Sequence, residues 1–143
     1  MRSLIIQTSS KKELHRICKQ FLNNALVAIY NIQKQKANAI IEKANKYIEA
    51  HYSNSISLES VAREVNLSSY YFSRFYKEET GIKFSDKLSS VRIEKAKELL
   101  SGGSLSIKDV SYKVGFTDPN YFSKAFKKIT GVTASDYRKT EKI

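Results

Sequence analysis

Tyr70, Ser73 and Arg74 stand at positions i, i+3 and i+4, and Asn120, Ser123 and Lys124 repeat that spacing 50 residues later. On a helix, residues so spaced share one face. Each triplet then offers hydroxyl or carboxamide groups beside a cation, which is the chemistry that base edges in a duplex groove call for. An arginine such as Arg74 can give a bidentate pair to guanine, an asparagine such as Asn120 can pair with adenine, and Lys124 can reach guanine acceptors. Lys77 and Lys127 lie one turn further on and suit phosphates, as do Lys128, Arg92 and the N-terminal amides of capped helices. A merely solvated charged face would explain either stripe alone. Its recurrence in two spaced copies favours docking on a repetitive polyanion.

The elements that must position these groups are themselves repeated. Residues 57–86, SLESVAREVNLSSYYFSRFYKEETGIKFSD, recur at 106–136 as SIKDVSYKVGFTDPNYFSKAFKKITGVTASD, with one extra residue at Thr117. Shared are Val61 and Val110, Val65 and Val114, Tyr71-Phe72-Ser73 and Tyr121-Phe122-Ser123, and Thr80-Gly81 and Thr130-Gly131. Ser57 and Ser106 are good helix N-caps, the second followed by Asp109 at capping-box spacing. A short helix, a tight turn (NLS or GFT) and a longer helix follow. That second helix opens at Ser68, or at Asp118 with Pro119 in the first helical position, and stops at Gly81 or Gly131. This is the layout of a helix-turn-helix, whose second helix enters the major groove. By helical phase Phe72, Phe75, Tyr76 and Glu79, and in the second copy Phe122, Ala125, Phe126 and Ile129, lie behind the polar stripes. Tyr71 and Tyr121 sit at the border between faces and read as mostly core. Between the copies, 86–101 reads as an amphipathic spacer helix stopped by Gly102-Gly103.

Residues 11–50 contain no Gly or Pro and read as two helices, or as one with a change of face. Leu14, Cys18, Phe21, Ala25, Ala28 and Ile32 form one apolar stripe, Gln33 to Lys36 interrupt it, and Ile40, Ile41, Ala44, Tyr47 and Ile48 form another. The expected organisation is an N-terminal helical extension over 1–38, a dimerisation helix or the remnant of a preceding domain, and a DNA-binding domain over 39–143. The latter holds helix-turn-helix units at 57–81 and 106–131.

Bulk properties agree. The chain has 143 residues and a formal charge of +11, with a pI near 9.7, which calls for an acidic partner such as nucleic acid or an anionic membrane surface. Its basic residues are dispersed among aromatics needed for a core, which argues against the membrane. No run is long enough to span a bilayer and the first ten residues lack a signal-peptide pattern, so a cytoplasmic, nucleoid-associated location is expected. Cys18 is the only cysteine and reads as a small core residue; with only His15 and His51 beside it, no metal or other cofactor is expected. No paired carboxylates, activated nucleophile or glycine-rich phosphate loop suggests an enzyme.

From about Ile40 to Arg138 the sequence resembles the DNA-binding domain of the AraC/XylS family of bacterial transcription regulators. The segment GFTDPNYFSKAFKKITGVTASDYR is similar to the family's run of Gly-Phe, a polar cap, Tyr-Phe-Ser, a basic residue, Phe-Lys-Lys, Gly and a closing Tyr-Arg. Three positions depart from it. Phe84 and Ala134 stand where the family usually has Pro, and Lys87 where an aromatic commonly closes the first copy. These changes are expected to loosen the loop after each recognition helix. The resemblance implies an all-α fold of seven helices, with two helix-turn-helix units joined by a linker helix. It also implies double-stranded DNA as partner, RNA polymerase as a second one, and Tyr70, Ser73, Arg74, Asn120, Ser123 and Lys124 as base-facing residues. The alternatives are a helical protein-interaction module working through the Leu14 to Ile32 stripe, or a non-specific polyanion binder.

Overall fold

The computed structural model describes residues 2–141, with side chains from residue 9 onward. These residues form seven helices: α1 Arg2–His51, α2 Leu58–Glu64, α3 Ser69–Thr80, α4 Phe84–Gly102, α5 Ile107–Lys113, α6 Pro119–Thr130 and α7 Ala134–Glu141. α1 is one continuous helix. Gln33 to Lys36 break the apolar pattern but are all good helix formers, so they change what the helix presents without ending it. The chain divides into two compact units, one ending at Ala39 and the other starting at Ile40. In the first, side chains from Ser9 to Lys36 are exposed apart from the partly covered Ala25. Leu14 is 62% exposed and Phe21 73%. Cys18 is exposed as well, so its reading as a core residue is corrected.

The second unit contains two apolar cores. Ala44 and Ile48 of α1 meet Val61, Ala62, Val65, Phe72, Tyr76 and Leu88 in the first. Ile93, Ala96 and Leu100 of α4 meet Val110, Val114, Phe116, Phe122, Phe126 and Ala134 in the second. The internal repeat is therefore longer than the helix-turn-helix itself. Ile41, Ala44 and Ile48 precede the first copy with the same 3 and 4 spacing as Ile93, Ala96 and Leu100 before the second. Each three-residue stripe roofs its own unit. α4 serves twice, because its start closes the first core and its remainder opens the second. That dual use explains why it begins at Phe84 and not Asp86: the Phe84 ring packs edge-on against Phe72 at 6.3 Å between centroids.

Candidate nucleic-acid interface

Local chemistry fixes where each recognition helix starts and stops. The Ser68 hydroxyl accepts the Tyr71 N–H (3.2 Å) at the start of α3. At the start of α6 the Asp118 carboxylate accepts the Asn120 N–H (2.9 Å), with Pro119 in the first turn. Both helices end in a left-handed glycine, Gly81 at φ 80° and Gly131 at φ 84°, conformations for which glycine carries no Cβ penalty. The threonine before each glycine then ties the exit loop. Thr80 Oγ1 donates to the Tyr76 carbonyl (2.6 Å) and accepts from the Ile82 N–H (3.3 Å). Thr130 Oγ1 repeats both bonds with Phe126 (2.7 Å) and Val132 (3.3 Å). The expected loosening at Phe84 and Ala134 is thus offset by a hydroxyl that bridges the same loop.

All six residues read as base-facing are exposed on α3 and α6, backed by the buried Phe72 and Tyr76 or Phe122 and Phe126. Phe75 and Ala125 are half-buried, whereas Glu79 and Ile129, read as part of the back, are exposed. In the first stripe Arg74 is held by its neighbour. Its Nη1 donates to the Tyr70 hydroxyl (3.0 Å) and its guanidinium lies 5.7 Å from the centre of the Tyr70 ring. A guanidinium so engaged keeps a free edge of two parallel N–H groups for a bidentate acceptor. In the second stripe the Ser123 hydroxyl donates back to the Pro119 carbonyl (3.0 Å), which leaves it an acceptor.

Charge pairing separates these helices from the rest. Among the described residues the ion pairs are Arg16 with Glu13, Lys43 with Glu64, Lys46 with Glu42, Lys95 with Glu98 and Lys97 with Glu94. None involves Arg74, Lys77, Lys124, Lys127 or Lys128. Their positive charge is uncompensated by carboxylates and available to an outside anion.

Beside each recognition helix lies a cleft built from matching positions. In the first unit Leu58, Ser73, Arg74, Lys77, Lys83, Phe84 and Ser85 line it. In the second Ile107, Ser123, Lys124, Lys127, Lys128, Thr133, Ala134 and Ser135 do so. The volumes are about 440 and 610 Å³, and Ala134 stands in the second where Phe84 stands in the first. Each cleft joins a recognition-helix cation to the first turn of the following helix, where free amides favour anions. Lys83, Ser85, Thr133 and Ser135 went unnoticed in the sequence, although they sit two to four residues after each terminal glycine in both copies.

Residues 61–140 match a family described as a helix-turn-helix domain. The chain belongs to the AraC-type helix-turn-helix family. It is 34% identical to the regulatory protein PocR of Salmonella typhimurium over 145 aligned positions, covering 94% of this chain and 45% of PocR. The C-terminal domain of AraT, a response regulator from Geobacillus stearothermophilus, superposes with a TM-score of 0.66 at 44% identity over 71% of this chain and 84% of that one. The DNA-binding domain of AdpA, solved in complex with a target DNA, shares the fold at a TM-score of 0.65 and 22% identity, covering 70% of this chain and 90% of that one. The chain spans less than half the length of PocR.

Within this AraC-type domain some residues differ from their reading in sequence. Arg92 faces inward, not toward a phosphate. Its Nε donates to the Tyr52 carbonyl (2.8 Å), its Nη2 to the Asn54 carbonyl (3.1 Å), and its guanidinium lies 5.6 Å from the Phe116 ring centre. Burial lowers its pKa below the ordinary arginine value, opposed by Tyr121. Tyr71 and Tyr121 are 55% and 57% exposed, not core. They lean on Phe75 and Phe116, each at 5.9 Å between ring centroids. Both hydroxyl-bearing rings thus stand at the edge of the recognition surface. No helix among the described residues is long and apolar enough to cross a membrane.

Proposed function

We propose that the chain regulates transcription by binding an asymmetric duplex DNA site, with α3 and α6 in successive major-groove segments. Tyr70, Ser73 and Arg74 read one element, and Asn120, Ser123 and Lys124 the other. Lys77, Lys127 and Lys128 hold phosphates, joined by Lys83 and the first turns of α4 and α7. The observation that carries this is the pair of exposed, ion-pair-free polar stripes on the two recognition helices. The DNA complex of the like-folded AdpA domain supports it. So read, the chain acts by binding and not by catalysis, in the bacterial cytoplasm on the nucleoid, with RNA polymerase as a second partner. Selection of bound sequences from a random duplex pool tests the reading. Two unequal elements about 10 base pairs apart are expected, and binding should weaken steeply with salt. Recovery of perfect inverted repeats alone, or of no preferred sequence, would sink it.

A second reading concerns residues 1–38 as an extension distinct from the DNA-reading domain at 39–143. The exposed Leu14, Ile17, Phe21, Leu22, Ile29 and Ile32 favour a homodimer through this helix, because an uncovered apolar face of that size is an association surface. A chain starting at Ala37 should stay folded, sediment as a monomer and bind one site with similar affinity. Unfolding of that chain would return the helix to the core of the domain.

A further inference from the structure

We propose that Arg92 is a positioning residue that fixes the rotation and distance between the two recognition helices, and through them the spacing between DNA elements that the chain accepts. The inference rests on the two-element reading above. The two cores are separate, and α4 passes through both, with Leu88 in the first and Ile93, Ala96 and Leu100 in the second. α4 is the helix that the two cores share.

Arg92 supplies a cross-brace halfway along it. Its two N–H groups hold the Tyr52 and Asn54 carbonyls, which belong to the segment leading into the first helix-turn-helix. Its guanidinium carbon lies over the ring of Phe116, 5.6 Å from the centroid, and Phe116 belongs to the turn of the second. Tyr52, whose carbonyl it holds, packs against both cores. The fit is close: a Cβ added at Gly115 would lie 2.5 Å from the Tyr52 oxygen and 2.9 Å from Arg92 Nε. A planar fork binds two carbonyls on one edge while its carbon stays over the ring, which the single ammonium of a lysine cannot reproduce.

The test uses the 143-residue chain, Arg92→Met and Arg92→Lys, and a duplex selected by the unsubstituted chain, with zero, one or two base pairs inserted between its elements. Each insertion turns the second element by about 35°. The unsubstituted chain should lose at least about tenfold in affinity on the first insertion, as for a misplaced base contact. The variants should bind the native spacing several-fold more weakly and discriminate against the insertion by less than about threefold. An unchanged spacing profile in either variant overturns the proposal. Failure to select any sequence would sink the two-element reading instead. A second measurement needs neither DNA nor a folded variant: residual dipolar couplings of the unsubstituted chain should fit one alignment tensor for residues 57–81 and 106–131. Two different tensors would overturn the brace.

Discussion

The turns of the two helix-turn-helix units follow one local rule under different pressure. Asn66 at φ 59° and Gly115 at φ 103° hold the same left-handed place. Their N–H groups bond Arg63 (3.1 Å) and Tyr112 (3.0 Å), and the next residues, Leu67 and Phe116, bond Ala62 (2.9 Å) and Ser111 (3.0 Å). Yet Asn66 is exposed, whereas Gly115 is pressed against Tyr52 and Arg92. Asparagine tolerates the left-handed region, so it suffices where space is open; glycine is required where a carbonyl closes in. Equivalent positions in a repeat can thus differ through what packs on them, not through what they do.

The largest expected effect breaks that comparison directly. Gly115→Ala adds backbone strain and a contact that backbone must move to relieve, and should cost about 3–5 kcal/mol. Asn66→Gly should stay within about 1 kcal/mol. Urea unfolding of the two variants measures the gap. Similar losses in both would mean that the turn alone, not its neighbours, selects glycine.

The recognition faces differ next. Arg74 is steered by Tyr70, while Asn120 and Lys124 have no such partner on their own helix. Arg74→Ala should weaken binding of the selected site by about 1–3 kcal/mol and relax preference at one or two adjacent base pairs. Lys127→Ala should instead weaken all sequences alike and lower the salt slope by about one. An unchanged consensus after Arg74→Ala would remove that residue from the base-reading set.

Behind the faces, Tyr76 in the first unit corresponds to Phe126 in the second. The Tyr76 hydroxyl donates to Asn45 Oδ1 (2.7 Å), and burial pushes its pKa up to about 12. The Phe126 ring packs edge-on to Tyr137 at 5.6 Å. Tyr76→Phe should cost about 1 kcal/mol by stranding Asn45. Since the folded pKa is raised, the stabilising effect is complete below about pH 10 and is lost as pH rises toward 12. Stability of the unsubstituted chain should therefore fall more steeply over that window than that of Tyr76→Phe. Equal slopes would deny the buried hydroxyl its role.

Periodicity and caps made the helices legible, because those signals are local: Ser57, Ser68, Ser106 and Asp118 all cap as their positions suggest. The polar stripes were legible for the same reason, since a face follows from spacing alone. Arg92 was not, because nothing local distinguishes an arginine aimed at carbonyls 38 and 40 residues away from one aimed at solvent. Tyr71 and Tyr121 were misread because a residue at the border of two faces is decided by its neighbours.

The smallest effect concerns the loops after the recognition helices. Phe84 and Ala134 both occupy the first helical position, where the N–H has no partner within the helix and proline is accommodated. Lys83, before Phe84, is already extended at φ −72° and ψ 150°, as a residue preceding proline must be. In the first unit the Phe84 ring lies on Phe72, so proline there would remove an aromatic contact. In the second, Ala134 carries no ring to lose, and the Thr133 hydroxyl already accepts the Asp136 N–H (3.1 Å) to start the helix. Ala134→Pro should therefore stabilise the domain by about 0.5 kcal/mol through lost freedom of the unfolded chain. The urea midpoint should rise with an unchanged slope. A lower midpoint would show that buried Ala134 has no room for the ring.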